Sequence, residues 1–318
     1  MKTKIKFVYF GSSEFSKIIL DGLCSKGYRP LLIITKPDKP KGRGLKVFPT
    51  QVSDLASDKK IECLKPASLS DEEFKLTLKE KEADLFIVAD YGKIIPSNIL
   101  SFPNIFSLCA HPSLLPNYRG ASPIEYTLLE GDKKTGVTIF KINDRVDAGD
   151  IILQKEATIS ENDNFLSLRK RLAKESVPIL IEAIKKITSD DFVLIPQDES
   201  KATLTHKLKK SDGLISWGKP AEKIVNLIRA TAGWPSAYTY YKSSGLKILS
   251  AQALDLENNQ SPGVVVKIDK HGIYVATSLG VVKIKELKPQ GKKKMSAQAF
   301  ICGHNLKVGD HFTDKIKL

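Results

Sequence analysis

Short apolar runs at residues 5–10, 30–35 and 83–88, rich in Ile, Val and Leu, are separated by stretches of helical spacing at 15–25 and 70–82. Runs without polar alternation are strands buried on both faces. Such strands alternating with helices predict a doubly wound parallel sheet, a Rossmann-like α/β domain with its working site at the strands' carboxyl ends. Ser70 followed by Glu73 has the spacing of a capping box and predicts a helix start there. Residues 105–109 and 136–142 supply further strands, and 164–187 a long amphipathic helix.

The texture changes after Ser189. Residues 189–201 are polar, contain Pro196 and read as a linker. A helix is predicted at 221–230, after Pro220. Short strands follow at 237–241, 246–253, 263–268, 272–276 and 281–287, punctuated by turn residues. Short strands at that density predict a small β-barrel, with the oligonucleotide-binding (OB-like) architecture leading. The resulting division is a catalytic domain at 1–188, a linker at 189–208 and a C-terminal domain at 209–318.

The chain of 318 residues carries a formal net charge of +14, unevenly placed. Residues 201–318 hold 20 Lys and Arg against 8 Asp and Glu, whereas residues 1–200 hold 30 against 28. A solvated lysine-rich surface accounts for some of this. An excess confined to one third of the chain points more often to a polyanionic partner. No apolar run is long enough to span a membrane, and the first strand begins too early to leave room for a leader. The four cysteines (Cys24, Cys63, Cys109 and Cys302) form no CxxC pair, which argues against a zinc site or a disulfide framework and for a cytoplasmic protein.

Candidate chemistry is concentrated in four places. The turn Phe10-Gly11-Ser12-Ser13 has one glycine, not the three of a dinucleotide fingerprint, so NAD and FAD are disfavoured and a tight turn suffices. Residues 36–46 form a loop with Lys36, Lys39, Lys41, Arg43 and Lys46, suited equally to solvent and to a phosphate backbone. His111 follows a buried strand and opens a proline-bounded loop. Asp144, Asp147 and Asp150 follow another strand beside Gly149. A carboxylate beside His111 would orient the imidazole and favour its charged form, preparing it for proton transfer from an attacking amine.

These segments resemble the methionyl-tRNA formyltransferases along almost the whole chain. The resemblance rests on FGSSEFS, on KPDKPKGRGLKVFPTQV and on ADYGKIIP. It rests further on HPSLLPNYRGASPI with GVTIFKINDRVDAGDII, and in the C-terminal half on LIRATAGWPSAYT and PQGKKKM. It implies transfer of a formyl group from the co-substrate 10-formyltetrahydrofolate to the amine of methionyl-initiator tRNA, with no metal. His111 and Asp147 would be catalytic. Cys109 stands where the family has asparagine, and would have to serve as the oxyanion donor. Val88, Asp90, Tyr91, Gly92, Ile94 and Ser113, Leu114, Leu115 and Pro116 would line the folate site. The basic loop and Lys209, Lys210, Lys292, Lys293 and Lys294 would hold the acceptor stem. The protein would act as a monomer. A homologue that binds folate or tRNA with weakened catalysis, and a formyltransferase acting on an amino sugar, share the same catalytic half.

Overall fold

The computed structural model describes residues 5–41 and 46–315, which fall into two compact units. Of the described residues, the first contains 5–41, 46–120, 134–158 and 169–205, and the second 121–133, 159–168 and 206–315. Two consequences differ from the simple division of the sequence. The polar stretch 189–205 belongs with the first unit, and the helix Pro123–Glu130 packs on the helix Ala221–Ala230 in the second.

The first unit is built on β1 (Phe7–Gly11), β2 (Leu32–Ile34), the hairpin of β3 (Lys39–Lys41) and β4 (Lys46–Phe48), β5 (Cys63–Leu64), β6 (Leu85–Ala89), β7 (Phe106–His111), β8 (Arg119–Gly120), β9 (Lys134–Lys141), β10 (Ile151–Thr158) and β11 (Leu204–Thr205). Its main sheet runs β10-β9-β7-β6-β1-β2-β5. The five strands from β7 to β5 are parallel, and β9 and β10 are added antiparallel at one edge. Successive side chains of β1 alternate between faces, as a strand requires. Val8 and Phe10 join a cluster with Phe74, Leu78, Phe86 and Ile99, while the Tyr9 hydroxyl donates to the Ser16 carbonyl on the helix Glu14–Ser25 at 2.8 Å. The strand order turns back between β1 and β6. The crevice this leaves at their carboxyl ends is where ligands bind in open α/β sheets. The helix predicted to start at Ser70 is capped instead by Asp71, whose carboxylate accepts the Phe74 N–H at 2.9 Å. An aspartate one residue nearer the helix competes successfully for the same free N–H groups.

The second unit's sheet contains β12 (Tyr238–Tyr241), β13 (Ser244–Leu254), β14 (Val265–Asp269), β15 (Gly272–Ala276), β16 (Val281–Pro289), β17 (Met295–Ser296) and β18 (Phe312–Thr313). Its order is β14-β15-β16-β13-β12-β18, with β17 paired to β16. A bridge between Val264 and His311 brings the first and last strands of this order together, with Val265 N donating to Asp310 O at 2.8 Å. The sheet therefore curls into an OB-like barrel. Ile248, Val265, Ile273, Val282, Ile284 and Phe312 fill it, and Ile224 and Phe300 of two flanking helices join the same core. Trp217 stacks on Phe312 and donates its indole N–H to Thr239 at 3.0 Å.

One buried hydroxyl shapes the loop after β7. Thr138 on β9 is fully buried. Its hydroxyl donates to Ser113 O at 2.7 Å and accepts from Leu115 N at 3.1 Å and Gln154 Nε2 at 2.8 Å. Its one hydrogen and both lone pairs are used. Gln154 also donates to Leu115 O at 2.9 Å. Thr138→Val keeps the shape but strands buried peptide groups. It should lower stability by about 1–3 kcal/mol for each group left unpaired, measured by chemical denaturation. Thr138→Ser should lose far less, and equal losses would show that the hydroxyl is unimportant.

Candidate active site

The carboxyl end of β7 and the loop after β9 bring together His111, Asp147 and Cys109. His111 is 5 % exposed, and its Nε2 is 2.9 Å from the Tyr118 carbonyl oxygen. A carbonyl can only accept, so Nε2 carries a hydrogen. The other ring nitrogen, Nδ1, faces Asp147 Oδ2 at 3.6 Å. That oxygen accepts the Gly120 N–H at 2.8 Å. Of the three acidic residues in this loop, Asp147 is the one placed on the histidine, whereas Asp144 is exposed.

The main chain around the pair is unusual. Tyr118 (φ +62°) and Asp147 (φ +49°) both lie in the left-handed region, as do Asp90 (φ +42°) and Gly92 (φ +70°) on the loop after β6. Such conformations cost of order 1–3 kcal/mol for residues other than glycine, and persist where surrounding contacts over-determine them. Two glycines make the approach possible. A Cβ on Gly149 would sit 1.7 Å from the Lys141 carbonyl oxygen, and one on Gly120, at φ +103°, would sit 2.5 Å from the Thr205 carbonyl oxygen.

Cys109 lies on β7 beside Val88 of β6 and Phe140 of β9. Burial, then the carboxylates of Asp147 and Asp90, hold its thiol well above the ordinary range. It therefore stays protonated near neutrality, as a weak hydrogen-bond donor.

The residues expected around the folate are distributed unequally. Asp90, Gly92 and Ile94 are exposed, Ile94 by 86 %, and Val88 is partly exposed. The ring of Tyr91 lies in the apolar cluster, edge-on to Phe10, and burial pushes its hydroxyl up to about 12. That hydroxyl is buried without a hydrogen-bond partner among the described residues. Ser113 is fully buried, with its hydroxyl donating to Asn117 O at 2.7 Å. Leu115 is buried, whereas Leu114 and Pro116 are partly exposed.

Among the basic residues, Lys36 reaches the Gly92 carbonyl at 3.4 Å and so touches the loop after β6. Lys39 is exposed at the start of the β3–β4 hairpin, and the backbones of Lys41 and Lys46 face each other across it. Arg43 lies outside the described residues. In the second unit Lys209, Lys210, Lys292, Lys293 and Lys294 are exposed, Lys294 being paired with Glu286 at 2.8 Å. Among the described residues no group of three or more His, Cys, Asp or Glu converges on a metal-binding point, and no helix is long and apolar enough to cross a membrane.

Sequence reasoning missed the residues that hold the site in place. Thr138 sits between Val137 and Ile139 in a strand, where a polar residue amid apolar neighbours is a detectable signal, whereas Gln154 precedes Lys155 and Glu156 and carries no such mark. Gln197, Glu199 and Thr203 lie in the polar stretch read as a linker, and nothing in their spacing marks them.

Residues 3–184 match the family profile described as "Formyl transferase", and residues 207–305 match "Formyl transferase, C-terminal domain". The chain is 38% identical to the methionyl-tRNA formyltransferase of Acetivibrio thermocellus over 96% of this chain and 99% of that protein. It is 38% identical to that of Thermodesulfovibrio yellowstonii over 95% and 97%. Among solved structures, HypX from Aquifex aeolicus in complex with tetrahydrofolic acid superposes with a TM-score of 0.63 at 16% identity, covering 97% of this chain. The chain spans about half the length of that HypX protein, 49%. The sugar 3N-formyl transferase WlaRD superposes with a TM-score of 0.62 at 20% identity, covering 91% of this chain and 99% of its own. These structures share the fold, while the relatives matched along nearly their full length share the sequence as well: the chain belongs to the methionyl-tRNA formyltransferase family.

Proposed function

We propose that this protein transfers the formyl group of 10-formyltetrahydrofolate to the α-amino group of methionyl-initiator tRNA, acting as a cytoplasmic monomer. The observation that carries the reading is the His111–Asp147 pair, 3.6 Å apart at the carboxyl end of β7. The relatives at 38% identity, named methionyl-tRNA formyltransferases, support this choice of substrates. The resemblance to sugar formyltransferases is one of fold and does not support an amino-sugar acceptor.

The folate supplies the formyl carbon when bound. A new C–N bond forms to the amine, the bond from the formyl carbon to the folate nitrogen breaks, the amine loses a proton and the folate nitrogen gains one. His111 handles the proton. With Nε2–H fixed on the Tyr118 carbonyl, Nδ1 is the nitrogen that takes up and returns it. Asp147 stabilises the charged ring that results, and its own carboxylate is held by the Gly120 N–H. For the folate ring the loop after β6 offers the apolar side chain of Ile94 and the peptide groups of Asp90 and Gly92. Lys36, Lys39, Lys41, Arg43 and Lys46, with Lys209, Lys210 and Lys292–294, would meet phosphates.

Formylation of charged initiator tRNA, with elongator tRNA and 10-formyltetrahydrofolate-free controls, tests the reading directly. His111→Ala should lower turnover by about a hundred- to ten-thousandfold. Unchanged turnover would remove His111 from the reaction.

Cys109 offers a weak donor where the family's asparagine offers a strong one. Cys109→Asn should therefore raise single-turnover transfer by about ten- to a thousandfold, the scale of one preorganised oxyanion donor. A fast natural enzyme that the substitution leaves unchanged would show that another group already stabilises the oxyanion.

Transfer RNA binding should be dominated by counterion release. Affinity should fall by about a hundredfold or more between roughly 50 and 200 mM salt, read from filter binding or anisotropy. A flat salt dependence would contradict an electrostatic interface.

A further inference from the structure

A chain of polar contacts that no step of the reaction uses runs from the segment 197–205 to both halves of the catalytic pair. Gln197 Nε2 donates to the Asp147 carbonyl at 2.9 Å and to the Gly149 carbonyl at 2.7 Å. Its Oε1 accepts from Arg119 Nε at 2.9 Å. Carbonyls can only accept and a guanidinium can only donate, so the amide has one permissible orientation. Both its hydrogens and its oxygen are engaged there. Arg119, 4 % exposed, closes a two-pronged pair with Glu199, each nitrogen 3.0 Å from its oxygen. The guanidinium beside it holds the Glu199 carboxyl below the ordinary range.

The same segment grips the histidine's side of the site. Tyr118 N donates to Thr203 Oγ1 at 2.7 Å, Arg119 N donates to Thr203 O at 2.8 Å, and Thr205 Oγ1 donates to Arg119 O at 3.0 Å. Tyr118 is the residue whose carbonyl fixes the His111 ring, and Gly120 the residue whose N–H holds the Asp147 carboxylate. Asp147 and Tyr118 are both in left-handed conformations that must be imposed from outside. Gln197 touches the main chain of the first directly and reaches the second's neighbour through Arg119.

We propose that Gln197 is a positioning residue for formyl transfer, holding the Asp147–Gly149 main chain so that the Asp147 carboxylate stays on the Nδ1 side of His111. This rests on the reading of that pair as the transfer site. Gln197 acts through Asp147 and does not itself meet the reacting atoms. A lost positioning contact moves turnover rather than substrate affinity, and a displacement of about 1 Å costs about a hundredfold.

The test uses the full chain with Gln197→Glu, which keeps size and the Arg119 partner but sets an oxygen against the two carbonyls. We expect kcat to fall by about ten- to a hundredfold while KM for 10-formyltetrahydrofolate and for methionyl-tRNA stays within about twofold. Amide hydrogen exchange should accelerate in the peptide covering residues 143–150 and leave the rest of the first unit unchanged. An unchanged kcat, a rise in KM alone, or exchange that accelerates throughout the unit would overturn the proposal. Should this variant fail to fold, Glu199→Ala removes a half-exposed side chain and no buried volume. It should give a several-fold loss confined to kcat with the same local exchange, and no change in either would likewise overturn the proposal. The unsubstituted protein separates the two readings. If it forms no formyl-methionyl-tRNA, the transfer function fails, while hydrogen exchange still reports whether Gln197 holds the loop.

Discussion

The site depends on how a carbonyl oxygen is placed. Tyr118 presents its C=O to His111 Nε2 at 2.9 Å, and this single contact decides which ring nitrogen carries the hydrogen when the ring is neutral. The remaining nitrogen faces a carboxylate whose position is set in turn by a main-chain N–H, that of Gly120. Tyr118 and Gly120 are two residues apart in one loop. A conformation of that loop with its peptide groups turned otherwise would release the imidazole and the carboxylate together.

Keeping such a loop in place is a problem of polar saturation. The loop that follows β7 has only the short pairing of β8 with β11 as a ladder, so other buried peptide groups along it bond to side chains. Thr138 and Gln154 serve its first half, and Thr203, Thr205 and Gln197 its second half and the Asp147 loop. The glycines at 120 and 149 allow the backbones to come close enough for those bonds. The left-handed residues concentrated here show the result: strain retained at the site and offset by hydrogen bonds that only this arrangement satisfies.

Much of this was legible in the sequence. The apolar runs marked β1, β2, β6 and β7 because a strand covered on both faces has no polar alternation. The strand–turn pattern after Trp234 marked the barrel because hairpins need turn residues at short intervals. His111 and the acidic loop stood out because they follow such strands. The rest was hidden for physical reasons. Asp71 and Ser70 are both good caps, and only the helix's final position chooses between them. Tyr91 sits beside exposed Asp90 and Gly92, yet its ring turns into the apolar cluster, a choice made by packing against Phe10. Gln197 and Glu199 find their partners on loops far off in the chain, and a polar residue in a polar stretch gives no sign that it is bonded.

The hold of Tyr118 on His111 through Nε2 can be measured directly. Nitrogen-15 spectra of the imidazole in the full chain, at a pH where the ring is neutral, report which nitrogen carries the hydrogen. With the Tyr118 carbonyl in place, Nε2 should be protonated with its hydrogen protected from exchange, and Nδ1 bare. A ring protonated at Nδ1, with Nε2 bare, would contradict that hold.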